Sequence, residues 1–332
     1  MNRASSSMTR VIMAAVLLNL SLGPTAAYAQ QAITIRLSHL GSPGSLYGIV
    51  SDRFANEVND ALAGRLEVKV FHSGQLGTDE QMVKGITAGA AEMWLAGTVM
   101  STVDQKFGVF EMPYIIVSRP HMRNVTESKE VQRALFEGLP RNGLRVLGVW
   151  ENGFRHVTNN VRPIVRPEDL RGIKLRVPGG VWRLKMFQAY GATPSPLSFK
   201  EVYSALQKGV MDGQENPFGT ILGEKLHEVQ KHLSLTGHVY TPAYLVVNES
   251  VWQRLSPDLQ STIARTAWAL GDFARTEGER RDKEAIGKLA PFMSANEVDK
   301  EAFIKASGAI YEEFGKQVPA GAELIRLIQS LR

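Results

Sequence analysis

Leu170-Arg171-Gly172-Ile173-Lys174-Leu175-Arg176-Val177-Pro178 and, further on, Glu201-Val202-Tyr203-Ser204-Ala205-Leu206-Gln207-Lys208-Gly209-Val210-Met211-Asp212-Gly213-Gln214-Glu215-Asn216-Pro217 decide how this chain is read. The region opens at Gly153-Phe154-Arg155. Phe154 to Thr158 and Ile173 to Val177 read as short strands, so Arg155 and Arg176 both sit on extended backbone. Ser198 followed three residues later by Glu201 reads as a capping box opening a helix that Gly209 ends. Val210 to Gln214 reads as a strand, with Asn216 just past it. Two guanidinium forks, an aromatic at Phe199 and an amide are groups suited to holding a planar carboxylate in bidentate fashion.

Upstream, Ala32 to Ser38 alternates apolar and polar as a strand does. Tyr47, Val50, Phe54 and Val58 recur at helical spacing, and Leu66 to Phe71 is a second strand. Thr78 with Gln81 caps a helix from Asp79 to Ala88, and Ala90 to Leu95 is a third strand. This β-α-β-α-β opening predicts an α/β domain with largely parallel strands. Phe107 to Ile116 reads as an apolar loop or strand, Thr126 to Glu137 as a helix, and Leu144 to Glu151 as a strand. Gly179 to Tyr190 reads as a helix and Tyr240 to Val247 as a strand. Ser256-Pro257-Asp258 then starts a helical pattern running to about Leu289, with one weak point at Gly271. Glu301 to Gln317 and Ala322 to Leu331 complete the helices. No flexible linker or internal repeat interrupts the chain.

The N-terminus carries Arg3 and Arg10 ahead of an apolar run from Val11 to Gly23, then Pro24 and Ala27-Tyr28-Ala29. The run falls short of the roughly twenty residues that span a bilayer. It reads as a secretory signal peptide cleaved after Ala29, against the competing reading of an uncleaved anchor. The chain has 332 residues and no cysteine. An exported chain of this size can bury a large core without disulfides, and its length suits two domains. The net charge is +5, and losing Arg3 and Arg10 leaves +3. Charges of both signs alternate, which argues against nucleic-acid binding and for a small anionic ligand.

Enzyme signatures are absent. The chain lacks a dinucleotide fingerprint, a Walker loop and a nucleophile elbow. Without cysteine there is no thiolate chemistry. His227 and His232 resemble a zincin pair, but they lie five positions apart where an offset of four is needed to share a helix face.

Together these words resemble the solute-binding proteins of TRAP transporters, the dicarboxylate-type family. The resemblance rests on Gly153-Phe154-Arg155, on Pro167 to Pro178, on Gly191-Ala192-Thr193-Pro194 and on the run from Glu201 to Asn216. Weaker matches at Gln75-Leu76-Gly77, Met112-Pro113-Tyr114 and Leu245 to Asn248 extend it over nearly the whole mature chain. It implies a two-lobed α/β periplasmic binding protein, type II-like, with a cleft between the lobes and a long helix spanning both. The expected division is residues 1–29 as signal peptide, 30–153 plus 242–281 as lobe I, and 154–241 plus 282–332 as lobe II. By resemblance Arg176 pairs with the ligand carboxylate, Arg155 is a second cleft arginine, Asn216 supports both, and Phe199 packs on the ligand. His39, Trp94 and Tyr240 are expected to contact the ligand from the other side. Some relatives hold a metal ion at the positions matching Gln214 and Glu215, but neither a metal nor a cofactor is expected here. The implied partners are a small organic acid (a sugar acid, hydroxy or keto acid, or dicarboxylate) and the membrane permease of an ion-gradient-driven TRAP system. A monomer is expected. An enzyme acting on an organic acid on the same scaffold is the competing reading.

Overall fold

The structure, a computed structural model, describes residues 32–332, so the predicted signal peptide and its cleavage after Ala29 lie outside the described residues. Ten strands are present: β1 Ile33–Ser38, β2 Leu66–Phe71, β3 Met93–Ala96, β4 Leu144–Asn159, β5 Lys174–Val177, β6 Thr193–Pro196, β7 Gly213–Pro217, β8 His232–Ser234, β9 Tyr240–Asn248 and β10 Ser294–Asn296. Their order is β2-β1-β3-β9-β4-β7-β5-β6, with β8 on β4 and β10 on β8. The β1–β2, β1–β3, β5–β6 and β5–β7 pairs are parallel, as crossover helices require. β4 and β9 run antiparallel to their neighbours.

The sequence suggested two strands, one from Leu144 and one from Phe154, but β4 is a single strand of 16 residues that serves two sheets. From Leu144 to Phe154 it pairs with β9, and from Arg155 onward it pairs with β7 and β8. A bulge between Glu151 and Gly153 precedes the changeover, which falls between Phe154 and Arg155. Gly153 has φ +117°, a conformation a side chain resists, and so it lets the strand bend there without breaking.

Helix Pro257–Leu289, 33 residues long, ties both halves together. Its first turns bury Leu259, Ile263, Ala267, Leu270 and Ala274 against Phe54, Trp150 and Leu245. Its last turns bury Ala285 and Leu289 against Val202, Leu206, Phe218 and Leu233. Each fully buried large apolar side chain contributes roughly 1.5–3 kcal/mol, so the helix is held at both ends by packing. The weak point at Gly271 has a packing cause: a Cβ there would lie 2.9 Å from the Val149 carbonyl oxygen. Trp150 Nε1 donates to the Ala267 carbonyl at 2.8 Å and fixes the same crossing.

Several local expectations gave way to tertiary contacts. Thr126 to Glu137 is two helices, Arg119–Glu127 and Lys129–Phe136, because the Ser128 hydroxyl accepts from Val131 N and starts a second one. Glu301 to Gln317 is likewise divided at Ser307, whose buried hydroxyl donates to Phe303 O and meets the Tyr190 hydroxyl at 2.6 Å. Gln105–Glu111 is a 3₁₀ helix where a loop or strand was expected. Ser198 does not cap a helix. Its hydroxyl turns to Glu80 at 3.3 Å, Phe199–Glu201 forms a 3₁₀ turn, and the helix starts at Val202.

Candidate functional site

A cavity of about 100 Å³ lies among the ends of β1, β3, β5 and β7 and the long helix. Arg155, Arg176, Asn216 and Phe199, predicted from sequence, all line it. Their elements explain the convergence. Arg176 on β5 is in register with Gln214 on β7, and Arg155 on β4 is in register with Pro217 on β7. Three adjacent strands therefore deliver Arg155, Arg176 and Asn216 to one corner, and the 3₁₀ turn Phe199–Glu201 brings Phe199 to it.

The two arginines differ in state. Arg155 is neutralised: Nε donates to Glu215 Oε2 at 2.5 Å, and Nη2 donates to Glu215 Oε1 at 3.0 Å and Asn216 Oδ1 at 2.9 Å. Arg183 adds a second cation, with Nη1 2.5 Å from Glu215 Oε2 and Nε 2.8 Å from Glu111 Oε2. His238 Nε2 lies 3.1 Å from the same Glu215 oxygen. Burial alone would raise the Glu215 carboxyl, but Arg155 and Arg183 hold it well below the usual carboxylate range. Asn216 Nδ2 in turn donates to Gln214 Oε1 at 2.5 Å, and Gln214 Nε2 to Thr158 Oγ1 at 2.9 Å. Glu215 and Gln214, weighed above as metal ligands, have their polar atoms taken up in these bonds. Among the described residues no cluster of three His, Cys, Asp or Glu side chains is placed to hold a metal ion.

Arg176 is 2 % exposed, and its Nε and Nη2 both donate to the Leu197 carbonyl, at 2.9 and 2.6 Å. Among the described residues it forms no salt bridge. Its guanidinium carbon lies 5.9 Å from the centroid of the Phe199 ring. Burial pushes it down to about 10, partly offset by Glu215. It is a buried cation with a carbonyl but, among the described residues, no acid within salt-bridge distance, which makes it the group in the cavity with most to gain from an anion.

Trp94, Tyr240 and His39 do not line the cavity. All three stand directly behind its wall. Trp94 is fully buried, and its Nε1 donates to Asp79 Oδ1 at 3.1 Å. Tyr240 is fully buried, and its hydroxyl donates to Glu151 Oε2 at 2.9 Å. Asp79 and Glu151 themselves line the cavity, so each aromatic aims a carboxylate rather than meeting a ligand. His39 is buried with neither ring nitrogen bonded, against His72 (4.8 Å between centroids) and Tyr47 (6.2 Å). Burial drives its pKa down to about 3, so it is neutral.

Sequence reading missed the opposite wall: Tyr47, Asp79, Glu80, Asn152 and Glu224. Asp79 and Glu80 occupy the first turn of helix Asp79–Gly85, where acids are ordinary because they complement the helix dipole. That local explanation hid their second position at the cavity. Burial raises the Asp79 carboxyl to about 7, with the Trp94 hydrogen bond acting against the shift. Contacts beside the cavity lining also join distant segments: Lys200 Nζ donates to the Gly74 carbonyl at 2.8 Å, and Ser198 Oγ to Glu80 Oε2 at 3.3 Å.

Residues 37–317 match the profile of the family described as bacterial extracellular solute-binding protein, family 7. The chain is 30% identical over 305 residues to the 2,3-diketo-L-gulonate-binding periplasmic protein of Escherichia coli (strain K12), covering 91% of this chain and 93% of that one. A TRAP periplasmic solute-binding protein of Polaromonas sp. JS666, solved bound to D-erythronate, superposes with a TM-score of 0.85 at 31% identity, covering 90% of this chain and 98% of that one. Its counterpart from Sulfurospirillum deleyianum DSM 6946, solved with bound succinate, gives 0.85 at 30% identity, covering 90% and 99%.

Proposed function

This chain belongs to family 7 of the bacterial extracellular solute-binding proteins, and on that footing we propose that it is a periplasmic receptor that grips a small organic carboxylate on Arg176 and delivers it to an ion-gradient-driven TRAP permease. The observation that carries this reading is the buried Arg176 guanidinium, facing the cavity without a counter-charge. A carboxylate accepting its free N–H donors supplies that charge beside a buried guanidinium, where the attraction is stronger than at an exposed surface. Asn216 and Phe199 flank it, and the carboxylate-bound Arg155 sets the amide's orientation. His39, Trp94 and Tyr240 act through the side chains they pack behind.

The lobe boundaries are placed at 153/154 and 241/242, with the long helix divided at 281/282. The bulge at Gly153, just before β4 passes from β9 to β7, supports the first of these. Closure about these crossings encloses the ligand. The protein acts as a monomer and turns nothing over. The Ser45 hydroxyl on the cavity wall donates to the Ser42 carbonyl and not to a base, so it is not set up as a nucleophile. Among the described residues no helix is long and apolar enough to cross a membrane, which accords with a receptor that reaches the membrane only by docking.

The test is a thermal-shift screen of short organic acids. A ligand that binds only the folded state raises the melting temperature as its concentration passes its dissociation constant. The expected result is a carboxylate-dependent shift that disappears in Arg176→Ala. Shifts of equal size in the variant refute the reading.

A further inference from the structure

Resting on the carboxylate-receptor reading, we infer that the ligand carries a single carboxylate and a chain of hydroxyl groups, and that Asp79, Glu80 and Glu224 select for it by accepting hydrogen bonds from those hydroxyls, with Glu80 and Glu224 also repelling a second carboxylate. The argument is a charge count of the cavity wall. The wall holds three arginines and five carboxylates. Arg155 is taken by Glu215 and Arg281 by Glu277. Glu151 and Asp282 share Arg119. Among the described residues this leaves one cation, Arg176, without an acidic partner. It leaves three carboxylates without a basic one. Asp79 accepts only from the Trp94 indole, Glu80 from Ser198 and Glu224 from Ser42.

A ligand with two carboxylates would satisfy Arg176 with one and bring the other toward three unpaired acids and no free cation. Like-charge juxtaposition in an enclosed site costs several kcal/mol. A chain with no hydroxyls would leave the acceptors with lone pairs desolvated and unmet. A ligand ammonium would suit acids gathered around one point, but these are not gathered. Asp79 feels the charges of Glu80 and Arg176, whereas Glu224 is perturbed only by burial and Ser42. Burial raises the carboxyls of both Asp79 and Glu224, so they suit neutral partners better than a cation. The neutral lining agrees. A Cβ at Gly97 would lie 2.9 Å from the Tyr47 hydroxyl and 4.0 Å from Asn152 Nδ2, so the missing side chain keeps open a corner faced by a hydroxyl and an amide. Both groups donate and accept, as the hydroxyls of a ligand do.

The experiment is calorimetric titration of the whole mature protein with four sets of sodium salts, each of four to six carbons. These are aldonates and uronates with their epimers, the matching aldarates with succinate and malate, unsubstituted alkanoates, and 2-amino-2-deoxyaldonates. The expected result is tightest binding in the first set, with each aldarate about ten-fold or more weaker than its aldonate. Glu80→Gln and Glu224→Gln should raise the aldarate-to-aldonate affinity ratio, since each keeps an acceptor oxygen and removes a negative charge. Tightest binding of a diacid, an alkanoate or an amino acid overturns the inference while leaving the carboxylate reading intact. An unchanged ratio in both variants overturns the role of these acids. Binding by none of the four sets overturns the carboxylate reading itself.

Discussion

Replacing Arg176 by alanine tests the central claim through two measurements that move in different directions. In the wild-type protein the guanidinium is buried, its charge is unmatched, and its visible bonds are two donations to one carbonyl. A ligand carboxylate gains a charge-assisted, desolvated partner there. Truncating one member of such a pair costs about 2–5 kcal/mol. At roughly 1.4 kcal/mol per decade, the dissociation constant should rise about 30-fold to a few thousand-fold. Stability of the unliganded protein should respond differently. Removing the side chain forfeits the bonds to Leu197, worth about 1 kcal/mol each. It also relieves a buried cation that nothing neutralises, and that desolvation cost offsets the loss. The unliganded variant should therefore melt near the wild-type temperature while its ligand-induced shift vanishes. Calorimetric titration gives the first quantity and differential scanning calorimetry the second. Wild-type affinity in the variant would refute the assignment. A large fall in unliganded stability would show instead that Arg176 is a structural residue.

The same side-chain network supports three further predictions. Glu215→Gln removes the shared counter-charge of Arg155 and Arg183 and should cost about 3–5 kcal/mol in urea unfolding at neutral pH. Because the folded-state Glu215 carboxyl lies below its ordinary value of 4.5, its stabilisation is full above that pH and is lost as the pH falls further; the wild-type urea midpoint should drop there more steeply than that of the variant. Gly271→Ala, ordinarily worth up to about 1 kcal/mol of helix propensity, should instead destabilise by about 1–3 kcal/mol, because the new Cβ would sit 2.9 Å from Val149 O; a raised melting temperature would refute the close crossing. Lys200→Ala removes a hydrogen bond beside the cavity lining to Gly74 O, and loss of about 0.5–1.5 kcal/mol should appear in stopped-flow as faster ligand dissociation with little change in melting temperature; an unchanged off-rate would show that this contact does not help hold the site closed.

The positions that sequence reading placed wrongly share one cause. Ser198 and Glu201 satisfy the spacing of a capping box, yet the hydroxyl bonds Glu80, 118 residues away. Ser128 and Ser307 interrupt stretches whose apolar spacing is continuous, because each hydroxyl finds a backbone or buried partner. Trp94 and Tyr240 were expected at the ligand and stand one layer behind the cavity wall, each bonded to a carboxylate that does line the cavity. Polar side chains choose partners by proximity in space, and spacing along the chain reports only those within a turn or two.

What the amino-acid order determined alone was whatever near neighbours decide. That covers the parallel β-α-β opening, the 33-residue helix with its Ser-Pro-Asp start, and an arginine ahead of Val177-Pro178 at the end of a strand. What only the tertiary structure decided was which charges are already cancelled. Glu215 meets Arg155 and Arg183 from 60 and 32 positions away, and Arg183 meets Glu111 across 72. Those pairings, formed where strands and helices from distant parts of the chain exclude water, leave Arg176 without a salt-bridge partner and so distinguish two similar-looking arginines, one already paired and one open to an anion.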